Sequence, residues 1–270
     1  MTNENEINEI VKKLQESKKY KDVYEPVLKA VTIDCLSRYG KKFAFDKAKN
    51  VLHQTWGAFW ETRPDFSKLQ KRFEEDVKNG KSIKEAIIPI LSLQSSTKER
   101  VPVLNDFYTK IFEITGFPKS IIEHASGLNP LTIFWMDLPK ETKYTAYDID
   151  ITQQNFLSSV FSFLNMAEKA GIKLGDVLNE TFGYADVVFL FKAIPCLERQ
   201  ENISIPDLLR KQKCKFLVTS FPTKSIGGKE KGMKDYYTNQ FSDILKSENL
   251  EHQIITFPTE LVFVVKMPSV

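Results

Sequence analysis

A change of hydrophobic period near residue 97 constrains the fold of this chain more than any other feature. Before it, apolar residues recur at helical spacing. Ile7, Ile10, Val11 and Leu14 form one stripe, and Val23, Val27, Leu28 and Val31 form the next. Asp46 is placed to cap a helix carrying Val51, Leu52 and Trp56, and Ser82-Ile83-Lys84-Glu85 has capping-box spacing before AIIPIL. Trp56 and Trp60, at i and i+4, read as core. Beyond the polar stretch SLQSSTK, short β-branched runs alternate with helical ones. The strands expected are KSIIE, KYTAYDID, IKLGDVL, ADVVFLFKAIP and CKFLVTSFP; the helices are VPVLNDFYTKIFEITG, TQQNFLSSVFSFLNMAEKAG, IPDLLRKQK and KGMKDYYTNQFSDILKSE. HQIITF and LVFVVKM follow as a close-set pair around Pro258-Thr259-Glu260, so one strand must run antiparallel to its neighbour. The pattern predicts a helical domain over 1–97. Over 98–270 it predicts an α/β domain, a mostly parallel sheet with helices on both faces.

Open parallel sheets bind ligands beyond the carboxyl ends of their strands. The stretch IIEHASGLNP (121–130) is such an end: β-branched residues run into an acid, small residues, one glycine and a proline. Asp148 ends the second strand at a spacing that lets a carboxylate hold a pair of ribose hydroxyls, and Asp176 lies near the end of the third. Acids after successive strands suit a nucleoside, because carboxylates accept from hydroxyls and from an adenine amine. No glycine-rich loop ending in Lys-Ser/Thr occurs, which argues against a nucleoside triphosphate. His124 has no role in this scheme and reads as a packed residue.

Charge adds a partner class. The net charge of +3 divides unevenly: residues 1–100 hold 20 basic against 15 acidic side chains, and the remainder 18 against 20. A first part at +5 and a second at −2 point to an anionic partner for the first. Between Arg210 and Lys234 lie eight basic residues and one acid, Glu230. The start MTNENEINEI lacks a signal-peptide pattern, and no apolar run approaches the roughly 20 residues that span a bilayer. Cys35, Cys196 and Cys214 match neither a disulfide framework nor a metal site. The expectation is a cytoplasmic protein with reduced thiols, no bound metal and no membrane partner.

Four strings are more specific. STKERVP (96–102), GLNPL (127–131), LFKAIPCLE (190–198) and SFPTKSIGGKEKGM (220–233) together resemble the aminoglycoside-resistance 16S rRNA guanine-N7 methyltransferases, in order through about residues 95–245. The chain reads as a divergent member. Where the family's first strand is expected to end in aspartate followed by Cys-Gly, this one has Glu123 and Ser126-Gly127, and the loop carries Lys224, Lys229 and Glu230 where arginines or glycine are commoner.

The resemblance implies a class I, Rossmann-like fold dependent on S-adenosylmethionine, with a seven-stranded sheet and an N-terminal RNA-docking domain. It implies a guanine in the decoding region of 16S rRNA as substrate, within the 30S subunit, and favours a monomeric enzyme that confers aminoglycoside resistance. On that likeness Glu123, Ala125, Ser126 and Gly127 approach the methionine part of the cofactor, and Arg100 pairs with its carboxylate. Asp148 and Ile149 hold the ribose, Asp176 and Val177 frame the adenine, and the segment from Lys192 to Pro195 faces the reacting methyl group. Guanine N7 has an exposed lone pair, so no general base is expected, and Lys192 and Pro195 are positioning candidates. Lys12, Lys13, Lys71, Arg72, Lys211, Lys224, Lys229 and Lys231 are the RNA-binding candidates. Two other readings compete: an S-adenosylmethionine-dependent methyltransferase of another RNA or a small molecule, and a non-catalytic RNA-binding relative. The basic helical part argues against the small molecule, and the intact GLNPL turn with Asp148 argues against the second.

Overall fold

The computed structural model describes residues 4–55, 63–198, 203–223 and 232–268; Trp56, Trp60, Lys224, Lys229 and Lys231 lie outside them. Seven strands form one sheet: β1 (Ser120–His124), β2 (Lys143–Asp148), β3 (Ala170–Leu174), β4 (Ala185–Phe191), β5 (Cys214–Pro222), β6 (His252–Thr256) and β7 (Glu260–Lys266). Their order is β3-β2-β1-β4-β5-β7-β6, and the order reverses between β1 and β4. The five strands from β3 to β5 are parallel, while β7 runs antiparallel to both β5 and β6. The terminal hairpin expected from the sequence is therefore inserted with β7 inside and β6 at the edge.

Strand alternation divides the interior into two layers. Val187, Phe189 and Phe191 of β4 face one side with Val218, Val262 and Val264. Helices α3 (Phe66–Lys78), α4 (Ile83–Leu91), α6 (Leu104–Thr115) and α7 (Ile151–Phe163) cover that side. Val188 and Leu190 face the other side, packed with α8 (Ile194–Leu197), α9 (Ile205–Arg210) and α10 (Met233–Ser247). The short helix α5 (Ser95–Lys98) leads into the single 3-10 turn that precedes α6.

The first hundred residues do not share one core. Helices α1 (Glu4–Glu16) and α2 (Glu25–Thr55) pack on each other around Leu14, Leu28, Cys35 and Leu52. Phe66, Phe73, Ile87 and Leu91 of α3 and α4 instead belong to the core of the sheet. Asp46 does not open a helix, because it lies inside the second of the two helical segments of α2, which meet at the non-helical Gly40 (φ 69°, ψ 169°), and it pairs with Lys49 at 3.3 Å. The capping box at α4 forms as read: Ser82 Oγ accepts from Glu85 N at 3.3 Å, and Glu85 Oε2 accepts from Ser82 N at 3.0 Å. Helix α7 is shorter than its sequence pattern. Asn165 turns left-handed (φ 56°) and Met166 N donates to Phe161 O at 2.8 Å, closing the helix so that Ala170 can open β3. Among the described residues no helix is long and apolar enough to cross a membrane.

Candidate active site

The loops at the carboxyl ends of β1, β2, β3 and β4 surround a cavity of about 980 Å³, part of it open to solvent. Its position at the reversal of strand order is where an open α/β sheet leaves room for a ligand. Ala125 and Gly127 after β1, Asp148 and Ile149 from β2, Asp176 and Val177 after β3, and Lys192 after β4 all line it. Two of these are strained: Ala125 (φ 50°) and Lys192 (φ 53°) hold left-handed backbones that side chains disfavour.

Asp148 organises the near wall. Its Oδ2 accepts from Gly127 N at 2.8 Å, and its Oδ1 accepts from Ile149 N at 2.7 Å and Asp150 N at 3.1 Å. The loops after β1 and β2 are thereby fastened together, aided by Ser126 N donating to Tyr147 O at 3.1 Å. Burial pushes the Asp148 carboxyl up to about 6, against the pull of the Gly127 N–H and its other backbone donors. Gly127 suits its place on two counts: its φ is +53°, and an added Cβ would stand 2.5 Å from Gln94 Oε1, which would have to shift. Asp176 is held by its own loop, accepting from Leu178 N at 2.9 Å and Asn179 Nδ2 at 2.6 Å.

Arg100 and Glu123, both expected at the cofactor, do not line the cavity but stand in a buried network behind its wall. Arg100 is 1% exposed and is sandwiched between the rings of Phe107 and Phe191, 4.6 and 4.5 Å from their centroids. Its Nε donates to Glu260 Oε2 at 3.0 Å, its Nη2 to Glu260 Oε1, and its Nη1 to Asn129 Oδ1. Asn129 Nδ2 in turn donates to Glu123 Oε1 at 2.8 Å, and Tyr144 donates its hydroxyl to Glu123 Oε2. Neither charged group lines the cavity; both are satisfied inside the protein. Burial pushes Glu123 up to about 7, with the bonds from Tyr144 and Asn129 opposing. Burial also raises Glu260, but Arg100 and Lys192 outweigh it and hold that carboxyl below its ordinary value.

Lys192 joins the network to the cavity. Its Nζ lies 2.5 Å from Glu99 and 3.6 Å from Glu260, so two carboxylates offset its charge. Its backbone N donates to Ser220 O at 3.0 Å, which fixes the turn leading into α8. Pro195 sits within α8, half-buried and outside the cavity lining, whereas its neighbours Ala193, Cys196 and Leu197 line it. Ser126 is buried and its Oγ has no hydrogen-bond partner among the described residues. His124 is packed, 4.3 Å from the Phe182 ring centre, and burial lowers it to about 4.

Several site residues escaped the sequence reading. Gln94 and Ser96 precede Arg100 and line the cavity, as do Val27 and Val31 of α2. Glu260 was read as part of a turn, although a glutamate opening an apolar strand was the available signal. Among the basic candidates, Lys12 and Lys13 are exposed on α1, and Lys13 is paired with Glu9 at 2.7 Å. Lys71 and Arg72 are exposed on α3. Lys211 is exposed but donates its Nζ to Leu178 O at 2.7 Å.

The cavity's chemistry is that of a nucleoside site: two carboxylates at successive strand ends among Val27, Val31, Ile149, Val177 and Leu178, with a close backbone approach at Gly127. This site on a seven-stranded sheet with an antiparallel β7 defines a class I methyltransferase fold. Residues 16–264 match the ribosomal RNA methyltransferase family FmrO, and the chain belongs to that family. It is 32% identical to a 16S rRNA (guanine(1405)-N(7))-methyltransferase of Proteus mirabilis and 30% identical to one of Micromonospora rosea, in each case over 98% of both chains. Its fold is similar to that of the 16S rRNA methyltransferase RmtF, solved with S-adenosyl-L-homocysteine, with a TM-score of 0.82 and 26% identity over 99% of this chain and 100% of that one. The 16S rRNA methylase ArmA is 31% identical over 76% of this chain and 99% of its own, with a TM-score of 0.62.

Proposed function

We propose that this protein methylates N7 of a guanine in the decoding region of 16S rRNA, using S-adenosylmethionine, and that it acts on the assembled 30S subunit as a cytoplasmic monomer. The observation that carries the reading is the cavity at the strand-order reversal, where Asp148 and Asp176 present carboxylates to a nucleoside and Lys192 stands at the opposite wall. The family supplies the acceptor.

The residues present fit the cofactor. Asp148 is placed to accept from ribose hydroxyls, with Ile149 beside it, and Asp176 with Val177 to frame an adenine ring. Ala125 and Gly127 offer backbone at close range, while Ser126 between them is buried and stays outside the lining. When bound, the cofactor supplies an electrophilic methyl on a sulfonium, which the exposed lone pair of guanine N7 accepts without prior deprotonation. The chain's task is therefore alignment and a suitable field rather than proton removal. Lys192 serves alignment: Glu99 and Glu260 offset its charge, so it does not oppose a sulfonium, and its left-handed backbone directs the Ala193–Cys196 segment along the cavity. Lys12, Lys13, Lys71 and Arg72 supply exposed charge for the rRNA backbone, where phosphates dominate affinity. Residues 1–97 form the docking part in this reading, and Lys211, Lys224, Lys229 and Lys231 add charge on the second domain. The resulting methylation would protect the ribosome from aminoglycosides.

The test is incubation with methyl-labelled S-adenosylmethionine and either 30S subunits or free 16S rRNA, followed by mapping of the modified nucleotide. Label at N7 of a decoding-region guanine, with 30S preferred, is the expected result. Label on another base, or a preference for free rRNA, overturns the assignment of target.

A further inference from the structure

The N-terminal helices are fastened to the cofactor loops more directly than a docking appendage requires. Residues 22–24, between α1 and α2, form an antiparallel bridge with the segment that follows Asp148. Val23 pairs with Asp150, Tyr24 N donates to Ile149 O at 2.8 Å, and Ile151 N donates to Asp22 O at 2.8 Å. The same segment reaches the second acid loop: the Tyr24 phenol is raised first by burial and then by Glu180 and Asp176. One turn further on, Val27 and Val31 stand in the cavity wall.

Arg63 clamps this joint from outside the cavity. Its Nη1 and Nη2 donate to Asp150 Oδ2 and Oδ1, both at 2.7 Å, and Nη2 lies 3.8 Å from Asp22. Asp150 has a second duty, accepting from Gln153 N at 3.0 Å as the cap of α7. Its own backbone N donates to Asp148. A two-pronged guanidinium–carboxylate pair whose acid is almost fully buried fixes geometry as well as charge. The chain of contacts runs Arg63, Asp150, Asp148.

We infer that Arg63 is a positioning residue for cofactor binding, acting through Asp150 on the Asp148 loop, and that bound cofactor holds α2 against the sheet in return. The inference rests on the cavity being the cofactor site. Coupling of this kind is reciprocal: if seating α2 improves the cavity, then filling the cavity must seat α2. A ligand enclosed between Val27 and Val31 on one side and two acid loops on the other makes contacts that an open joint would lose.

Three measurements test it, and the first two need no ribosome. Hydrogen exchange of the native protein with and without S-adenosyl-L-homocysteine should show slower exchange in residues 22–31 and along α2 when ligand is present. Calorimetry should show that Arg63→Ala weakens S-adenosyl-L-homocysteine about tenfold, within the usual range for coupled sites, with Arg63→Lys recovering part of it. In turnover on 30S subunits, Arg63→Ala should raise KM for S-adenosylmethionine by the same factor and leave kcat at saturating cofactor within about twofold. Unchanged exchange in α2 on ligand binding, or a fall in kcat with KM intact, overturns the inference. If Arg63→Ala fails to fold, the exchange result on the native chain decides alone. Absence of any S-adenosyl-L-homocysteine binding by the native protein would instead refute the cofactor reading of the cavity.

Discussion

Asp148 and Glu123 are both acids near the ends of adjacent parallel strands, both almost fully buried, and both raised by burial, yet they serve different regions. Asp148 is held by three backbone N–H groups and borders the cavity; Glu123 is held by two side chains and faces the interior. Backbone donors fix a carboxylate while leaving lone pairs for a visitor. Side-chain donors in a closed core leave it nothing further to do than hold the core together. Both side chains take the same face of the sheet, since Glu123 pairs with Ala146, two residues before Asp148. An acid there is thus a ligand group or a structural one according to whether it stands at the strand's last residue or one step inside it.

The contrast can be broken most sharply at Arg100. Arg100→Met should destabilise the fold by about 3–5 kcal/mol, because it leaves Glu260 buried beside a weaker set of partners. Thermal melting checks this. A loss of S-adenosyl-L-homocysteine affinity much larger than the loss of stability would return Arg100 to the cofactor. Asp148→Asn should do the reverse, weakening cofactor binding roughly 10- to 100-fold, as hydrogen bonds to a charged group warrant, with a smaller change in melting. Calorimetric affinity equal to that of the native protein would remove Asp148 from the site.

Glu123→Gln sharpens the comparison through pH. A carboxyl raised from 4.5 to about 7 in the folded state binds more protons there than in the unfolded chain, so its contribution to stability falls as pH rises across that window. The variant should gain on the native protein between pH 4.5 and 7, by about 3 kcal/mol at the upper end. His124, lowered to about 4, and Asp148, raised to about 6, shape the absolute slope in opposite senses. The difference between variant and native isolates Glu123. A constant difference across the range would show that Glu123 does not titrate there. Gly127→Ala has the smallest expected effect, about 1 kcal/mol of stability from the left-handed backbone together with a modest loss of cofactor affinity as Gln94 shifts.

The sequence carried the fold because strand runs and helical stripes differ in period, and each of the seven strands falls within or beside a run that announced it. Its misreadings were local. IKLGDVL extended past the strand because Gly175, whose N donates to Asp148 O at 3.1 Å, ends the ladder, and nothing in the apolar pattern marks that bond. Asp148 and Asp176 were legible because they follow strands directly. Glu123 looked equivalent, but it pairs with Ala146, two residues short of Asp148 on the same face, and so stays inside the core where Tyr144 and Asn129 reach it; that offset needs register. Val27 and Val31 were seen only as part of a helical stripe, since periodicity shows that a face is buried without showing against what. Glu260 was hidden by Pro258-Thr259, which makes a turn of its surroundings until β7 is known to begin there.

The reversed direction of β7 has a consequence for how the site comes into being. A parallel strand would bring its last residue to the cavity edge; an antiparallel one brings its first, and here that residue is the shared counter-charge of Arg100 and Lys192. Arg100 and Glu260 are separated by 160 positions in the chain. During synthesis the arginine is made long before the acid that neutralises it, whereas Lys192 has Glu99 ahead of it in the chain. Until β7 joins β5, Arg100 lacks its two-pronged counter-charge, so the wall of the site that carries Lys192 takes its finished form only with the last pairing of the sheet.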